Sequence, residues 1–433
     1  MKLQNVAIIG SGGRENSLAW AVEKNDSIKN IYLIPGNAGS NCFQKSKSIN
    51  LDYSRNRIIL IDKLIELDID LVLIGPEIPL ADGLGDFLRS NNFLVFGPGS
   101  DGAKIESSKS WAKQFMKKAN IPTANSWEVN SIKQAKEIIL SNKRPLVVKA
   151  DGLASGKGVF ITQTKEEAIQ ITEELLNGKF GEAGKIVVLE ERIEGPEVSI
   201  FAITDGRKYI LLPTAQDHKR LEEGDKGPNT GGMGAYSPTP LITDDELQII
   251  NNKIIKPTIN GLINENINYR GVIYFGLMIT EDGPKVIEYN CRFGDPECQT
   301  LMPLMDENFI DILHSAAKGN LICDLEMIHS HKVSACVIAT SKGYPLDYET
   351  GFEIKIPNIE TKDIQVFHSG TQINNNGVLT TNGGRVLSVV GQGENFDSVF
   401  KKLYNFIDKI KFEGIFYRKD IGHQVRKNFL KER

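Results

Sequence analysis

Six residues, Gly10-Ser11-Gly12-Gly13-Arg14-Glu15, constrain this chain most, because of what flanks them. Residues 6–9 form a short apolar run, and Leu18, Ala19, Trp20 and Val22 suit a helix. Strand, glycine-rich turn and helix open a βαβ unit, which commits the chain to a parallel sheet covered by helices. The alternation continues. Residues 31–34 run into Pro35-Gly36-Asn37-Ala38-Gly39, residues 71–74 into Gly75-Pro76-Glu77, and residues 94–96 into Gly97-Pro98. Strands that each end in a glycine loop place a ligand crevice at their C-terminal ends. Free amides at a helix start attract phosphate. A dinucleotide fingerprint needs its third glycine where Glu15 stands, so the first loop fails that test. It suits a small phosphorylated ligand or a purely structural turn.

A chain of 433 residues calls for three or four domains. A second region begins near Lys104, with helices over 107–119, carrying Lys109, and over 131–140. A strand over 145–149 then enters Ala150-Asp151-Gly152-Leu153-Ala154-Ser155-Gly156-Lys157-Gly158-Val159. This loop is no Walker A, since Gly158 stands where Ser or Thr should bind the metal. It reads as a flap able to close over a triphosphate, or as a hairpin tip. After a strand over 186–189, Gly195-Pro196 makes a hinge into the strand 198–203. The loop 215–237, with Asp217, His218 and Lys219, has the length of a functional one. A helix over 243–263 starts acidic, as its dipole favours. Strands 271–280 and 284–291 pair about Glu281-Asp282-Gly283, and a helix covers 308–318. The last region has strands over 333–339, 364–367 and 384–390, a helix over 396–407, and one conspicuous polar cluster, Asn382-Gly383-Gly384-Arg385.

On the strand 284–291, Glu288 and Asn290 are two apart and share a face. Two side-chain oxygens on a rigid strand suit Mg²⁺, which takes a few protein oxygens plus phosphate and water. Arg292 continues the alternation and would clamp an anion bidentately. A solvated polar edge is the alternative. The net charge of −4 argues against nucleic acid as partner. Five scattered cysteines show no disulfide or zinc spacing, which makes a reducing cytoplasm the default. Neither an apolar run of membrane-spanning length nor a signal-peptide pattern is present.

Taken together, the loops 10–15, 35–39, 75–77, 148–159, 216–220, 228–238 and 290–297 resemble the glycinamide ribonucleotide synthetase family of ATP-grasp ligases, end to end. Departures are Asn16 for a usual His, Ser155 for Ala and Cys298 for Thr. The resemblance implies an α/β fold: a Rossmann-like N-terminal domain (1–104), a two-part ATP-grasp core with a mobile flap, and a small α+β C-terminal domain (331–433). The core divides into a lid subdomain (105–193) and a central catalytic subdomain (194–330). ATP would meet Lys109, Lys149, Gly156, Lys157 and Gly158, with Glu190, Glu191 and Ile193 at the adenine and Glu197 at the ribose. Glu288 and Asn290 would bind Mg²⁺ or Mn²⁺. Arg292, Asp217 and Lys219 would be catalytic, with Arg292 on the glycine carboxylate or the developing charge and Asp217 on the glycine ammonium. Gly12, Gly13, Arg14, Gly36, Asn37, Glu77 and Asp295 would hold the phosphoribosylamine. A monomer is implied, with small-molecule substrates and no membrane. Two rivals are a carboxylase-type grasp enzyme acting on bicarbonate and a nicotinamide-dependent oxidoreductase. A third is a nucleotide-binding regulator without turnover.

Overall fold

The computed structural model describes residues 3–154, 157–322 and 327–426. Its first sheet has five parallel strands, ordered Ser46–Ser48, Asn30–Pro35, Asn5–Gly10, Leu71–Ile74, Val95–Phe96. The order reverses between Asn5–Gly10 and Leu71–Ile74. The loops after those two strands part there and open a crevice. All four residues of Leu71–Ile74 are buried, as a parallel strand covered on both faces must be.

Two antiparallel sheets follow. One is ordered Ser126–Val129, Val187–Glu191, Leu146–Ala150, Val159–Ile161, with the helices Ile132–Ser141 and Lys165–Leu176 packed on it through Ala135, Ile139, Ala168 and Leu175. The other is ordered Tyr209–Leu211, Glu197–Thr204, Gly271–Thr280, Gly283–Asn290. The segment before the first sheet's opening strand ties the two together. Val286 N donates to Pro122 O (2.8 Å), and Thr123 Oγ1 donates to Val286 O (2.6 Å). This is the two-part grasp: two sheets joined along one seam, with space between them.

A last antiparallel sheet is ordered Gln216–Asp217, Gly234–Ser237, Val333–Thr340, Arg385–Gly393, Ile364–His368. Val399, Phe400, Leu403 and Ile407 of the helix Phe396–Ile407 fill its core. Two of its strands come from the loop 215–237, so the division expected at 330/331 divides the chain and not the sheets. The division expected at 104/105 falls inside the helix Ser100–Ser107.

Two expected helices are corrected. The one over 107–119 starts at Lys109, because the Ser108 hydroxyl accepts from Trp111 N (3.2 Å) and caps it. The one over 243–263 is interrupted: Asp244–Ile250, a π turn Asn251–Ile255, then Lys256–Asn264. Pro257 has no N–H to give, which loosens the register ahead of it. Among the described residues the four cysteines are free, and no helix is long and apolar enough to cross a membrane.

Candidate active site

A cavity of about 660 Å³ lies where the grasp sheets, the crevice of the parallel sheet and the loop 215–237 meet. One end is built on the hairpin of Gly271–Thr280 and Gly283–Asn290. Register places Glu288 opposite Gly276 and Asn290 opposite Tyr274. Glu288 Oε1 lies 3.3 Å from Lys219 Nζ, which is also 2.9 Å from Glu197 Oε2. Lys219 above all, helped against burial by Lys149 and Lys109, pulls the Glu288 carboxyl down to about 2. Burial disfavours the Lys219 ammonium, but Glu197 and Glu288 outweigh it and raise its pKa well above the ordinary value. The Asn290 amide faces two acceptors, Tyr289 O at 2.9 Å and Glu106 Oε1 at 3.2 Å; assigning its nitrogen to that side satisfies both and leaves its oxygen on the other. One ionised carboxylate and one amide oxygen on a strand face fit Mg²⁺ or Mn²⁺ whose shell is completed by phosphate and water. Among the described residues no group of three or more His, Cys, Asp or Glu forms a fuller metal cage.

The wall facing the flap is cationic. Lys109 Nζ donates to Gly152 O (3.1 Å), and burial first, then Lys149, lowers its pKa. Lys149 Nζ is 2.8 Å from Glu190 Oε1 and donates to Ile287 O (3.2 Å). Lys113 Nζ is 3.2 Å from the same Glu190 oxygen, and burial pushes it down to about 8. The Glu190 side chain is thus a buried counter-ion between two lysines, and its backbone lies in the sheet ladder, opposite Ser126 and Val147. Gly158 and Glu197 also line the cavity, whereas Lys157, Glu191 and Ile193 do not. Gly156 lies outside the described residues.

At the other end Arg292 is held between two carboxylates, with Nε 3.2 Å from Glu77 Oε2 and Nη2 2.8 Å from Glu106 Oε1. Burial works against both Glu77 and Arg292. Arg292 nonetheless keeps the Glu77 carboxyl below its usual range, and Glu106 with Glu77 raises Arg292. Asp217 Oδ1 is buried without a hydrogen-bond partner, and burial followed by Glu297 raises the Asp217 pKa strongly. Asp295 is paired with Arg385, Nη2 to Oδ2 3.1 Å, and Arg385 Nη1 donates to Gly231 O (2.5 Å).

Gly12, Gly13, Arg14, Gly36 and Asn37 do not line the cavity. Gly12 N donates to Glu15 Oε2 (2.7 Å), and Arg14 Nε meets Glu15 Oε1 at 2.5 Å. A Cβ added to Gly75 would stand 2.0 Å from Glu15 Oε1. Glu15 therefore fills the place that a dinucleotide loop leaves open, which is the physical reason the fingerprint fails. Asn37 Nδ2 donates to Ser11 O (2.8 Å) and His368 O (2.7 Å), tying the first loops to the C-terminal sheet.

Sequence reasoning missed Glu106, Lys113, Glu297 and Arg385. Lys113 sits four residues after Lys109 on one helical face, a signal that was present. Arg385 belongs to the polar cluster 382–385, and Glu297 ends the loop 290–297. For Glu106 nothing local stands out.

Three models of phosphoribosylglycinamide synthetase match consecutively: the N domain over residues 4–106, the ATP-grasp (A) domain over 107–298, and the C domain over 334–424. A phosphoribosylamine–glycine ligase of Nostoc sp. is 42% identical over 422 residues, covering 97% of this chain and 99% of that one. The trifunctional purine biosynthetic protein adenosine-3 of Bos taurus is 44% identical over 423 residues, covering 97% of this chain. The chain spans only 42% of that protein's length. A crystal structure of a phosphoribosylamine–glycine ligase from Thermotoga maritima matches with a TM-score of 0.82 at 35% identity, over 96% of this chain and 99% of that chain. The parallel sheet, the joined grasp sheets and the C-terminal sheet follow one another as those three matched domains do, and the chain belongs to the phosphoribosylglycinamide synthetase family.

Proposed function

We propose that the chain ligates glycine to 5-phospho-D-ribosylamine with ATP, giving glycinamide ribonucleotide, ADP and phosphate in de novo purine biosynthesis. One observation carries this reading: a single cavity joins Lys109 and Lys149, the pair Glu288 and Asn290, and Arg292 with Asp217. The relatives' names supply the substrates.

A glycine carboxylate oxygen attacks the γ-phosphorus of ATP, ADP leaves, and glycyl phosphate forms. The amine of phosphoribosylamine then attacks the acyl carbon, loses a proton and expels phosphate. No protein nucleophile is required; catalysis is positioning and charge neutralisation. Lys109 and Lys149 hold phosphates, the strand end at Glu190 borders the adenine, and Glu197 meets the ribose. Lys157, Glu191, Ile193 and Gly156 are assigned to the nucleotide through closure of the flap, which also keeps water from the acyl phosphate. Arg292 clamps the glycine carboxylate, and the unpartnered Asp217 oxygen takes the glycine ammonium. Lys219, beside Glu197 and Glu288, neutralises developing charge. A divalent cation, Mg²⁺ or Mn²⁺, held by Glu288 and Asn290 supplies charge neutralisation for the polyphosphate when bound. Glu77 and Asp295 face the phosphoribosylamine. Assigning its phosphate to Gly12, Gly13, Arg14, Gly36 and Asn37 means that Gly12 and Arg14 exchange Glu15, Gly36 exchanges Gly10 O, and Asn37 exchanges Ser11 O and His368 O for bonds to phosphate.

The four chain regions 1–104, 105–193, 194–330 and 331–433 serve as substrate domain, lid, catalytic floor and closing domain of a cytoplasmic monomer. Glycine labelled with ¹⁸O in its carboxylate tests the route: one label appears in the released phosphate, and unlabelled phosphate excludes the acyl phosphate.

A further inference from the structure

We infer that Glu106 is the positioning residue of the cation end: its carboxylate decides which atom of Asn290 faces the cation and fixes Arg292 beside it. This rests on the reading of Glu288 and Asn290 as cation ligands given above.

Glu106 stands near the end of the helix Ser100–Ser107, with its side chain 8% exposed. Four donors converge on it. Oε2 accepts from Cys291 N (2.8 Å) and Cys291 Sγ (3.2 Å). Oε1 accepts from Arg292 Nη2 (2.8 Å) and, with the Asn290 amide assigned so that its nitrogen faces its two acceptors, from Asn290 Nδ2 (3.2 Å). That set matches the lone-pair capacity of one carboxylate. Three consecutive residues are thereby gripped at one point. The strand Gly283–Asn290 is an edge strand of its sheet, so the N–H just beyond it has no strand to pair with. Glu106 takes that N–H and the side chains on either side of it.

The consequence concerns Asn290. The oxygen and nitrogen of an asparagine amide have nearly the same shape, so packing alone does not choose between them. A cation requires the oxygen. An anion behind the amide draws the nitrogen, and only then is the oxygen left for the ligand. Neutralising Arg292 does not account for Glu106, because Glu77 already faces that guanidinium at 3.2 Å. The contacts that Glu77 lacks are those to Cys291 and Asn290. Partners behind a metal ligand commonly set its affinity tenfold to a hundredfold.

The test is Glu106→Gln, which keeps the shape and an accepting oxygen but adds an NH₂ that fits the Asn290 amide in either orientation. Free Mn²⁺ is followed by electron paramagnetic resonance while enzyme with ADP is titrated. The Mn²⁺ Kd rises about tenfold or more, while metal-free ADP affinity stays within about twofold, which a general structural defect would not allow. A Mn²⁺ Kd within about twofold of wild type overturns the inference. In an Asn290→Ala background, Glu106→Gln adds less than about twofold; a full further loss there also overturns it. A crystal structure of the wild-type protein with Mn²⁺ and ADP decides the matter without any variant. Asn290 Oδ1 on the ion and Nδ2 on Glu106 support the inference, and Asn290 turned away from the ion overturns it. None of these measurements needs glycine or phosphoribosylamine, so their failure is separate from failure of the ligase reading.

Discussion

Lys219 and Glu288 form an ion pair of 3.3 Å inside the cavity, so the carboxylate assigned to the cation already faces a cation of the chain itself. Lys219 keeps a second anion, Glu197, at 2.9 Å. Losing Glu288 therefore removes the proposed cation anchor without stranding the lysine. Glu288→Ala is expected to lower Mg²⁺-dependent ADP release by about a hundredfold or more while the thermal melting curve stays cooperative. Wild-type turnover across a MgCl₂ titration would show that the cation is held elsewhere.

The close approach of Gly75 to Glu15 makes a stability prediction. Gly75→Ala would put a methyl group 2.0 Å from Glu15 Oε1. Overpacking of this kind costs about 1–3 kcal/mol, read as a lower urea midpoint. Glu15→Ala in the same molecule opens the space, so the two substitutions are non-additive. Simple additivity would mean that the Glu15 side chain does not fill that place.

Much of this fold was legible because its strands end in marked loops. The glycine loops after residues 10, 35 and 74 announced the parallel sheet, and the helix Phe396–Ile407 appeared with the bounds its pattern gave. Glu288 and Asn290 could be paired because strand spacing alone puts them on one face. What stayed hidden needed three dimensions. Helices such as Ile58–Glu66 and Lys165–Leu176 carried no loop signal that drew notice. Glu106 is 184 to 186 positions from the residues it grips, by the numbering of Asn290, Cys291 and Arg292. Glu15 argued against a dinucleotide site, but only the structure shows its carboxylate taking the loop's own Gly12 amide.

Two buried histidines set an acid limit. His218, pushed down by burial and then by Arg418, and His368, pushed down by burial, both titrate at about 4. The unfolded chain takes up their protons below about pH 6.5, and the folded chain only below about 4. Their stabilising contribution is therefore complete above pH 6.5 and is lost as pH falls towards 4, about 1–2 kcal/mol each at pH 5. Buried carboxyls such as Asp217 act in the opposite direction, so the informative quantity is a difference. Between pH 7 and 5, His368→Gln should lose less stability in urea than wild type does. Parallel losses would contradict the assignment.

Arg385 of the C-terminal sheet pairs with the cavity-lining Asp295, and its removal leaves Asp295, 14% exposed, without its guanidinium partner. Arg385→Ala is expected to raise KM for phosphoribosylamine about tenfold, or about 1.4 kcal/mol, with KM for ATP little changed. Equal changes in both constants would point to a general loosening of the cavity.

The ligase reading meets its most direct test in ADP release, measured with glycine and phosphoribosylamine each omitted in turn. Release that requires both substrates is the predicted result. Equal release with alanine or bicarbonate in place of glycine would contradict it.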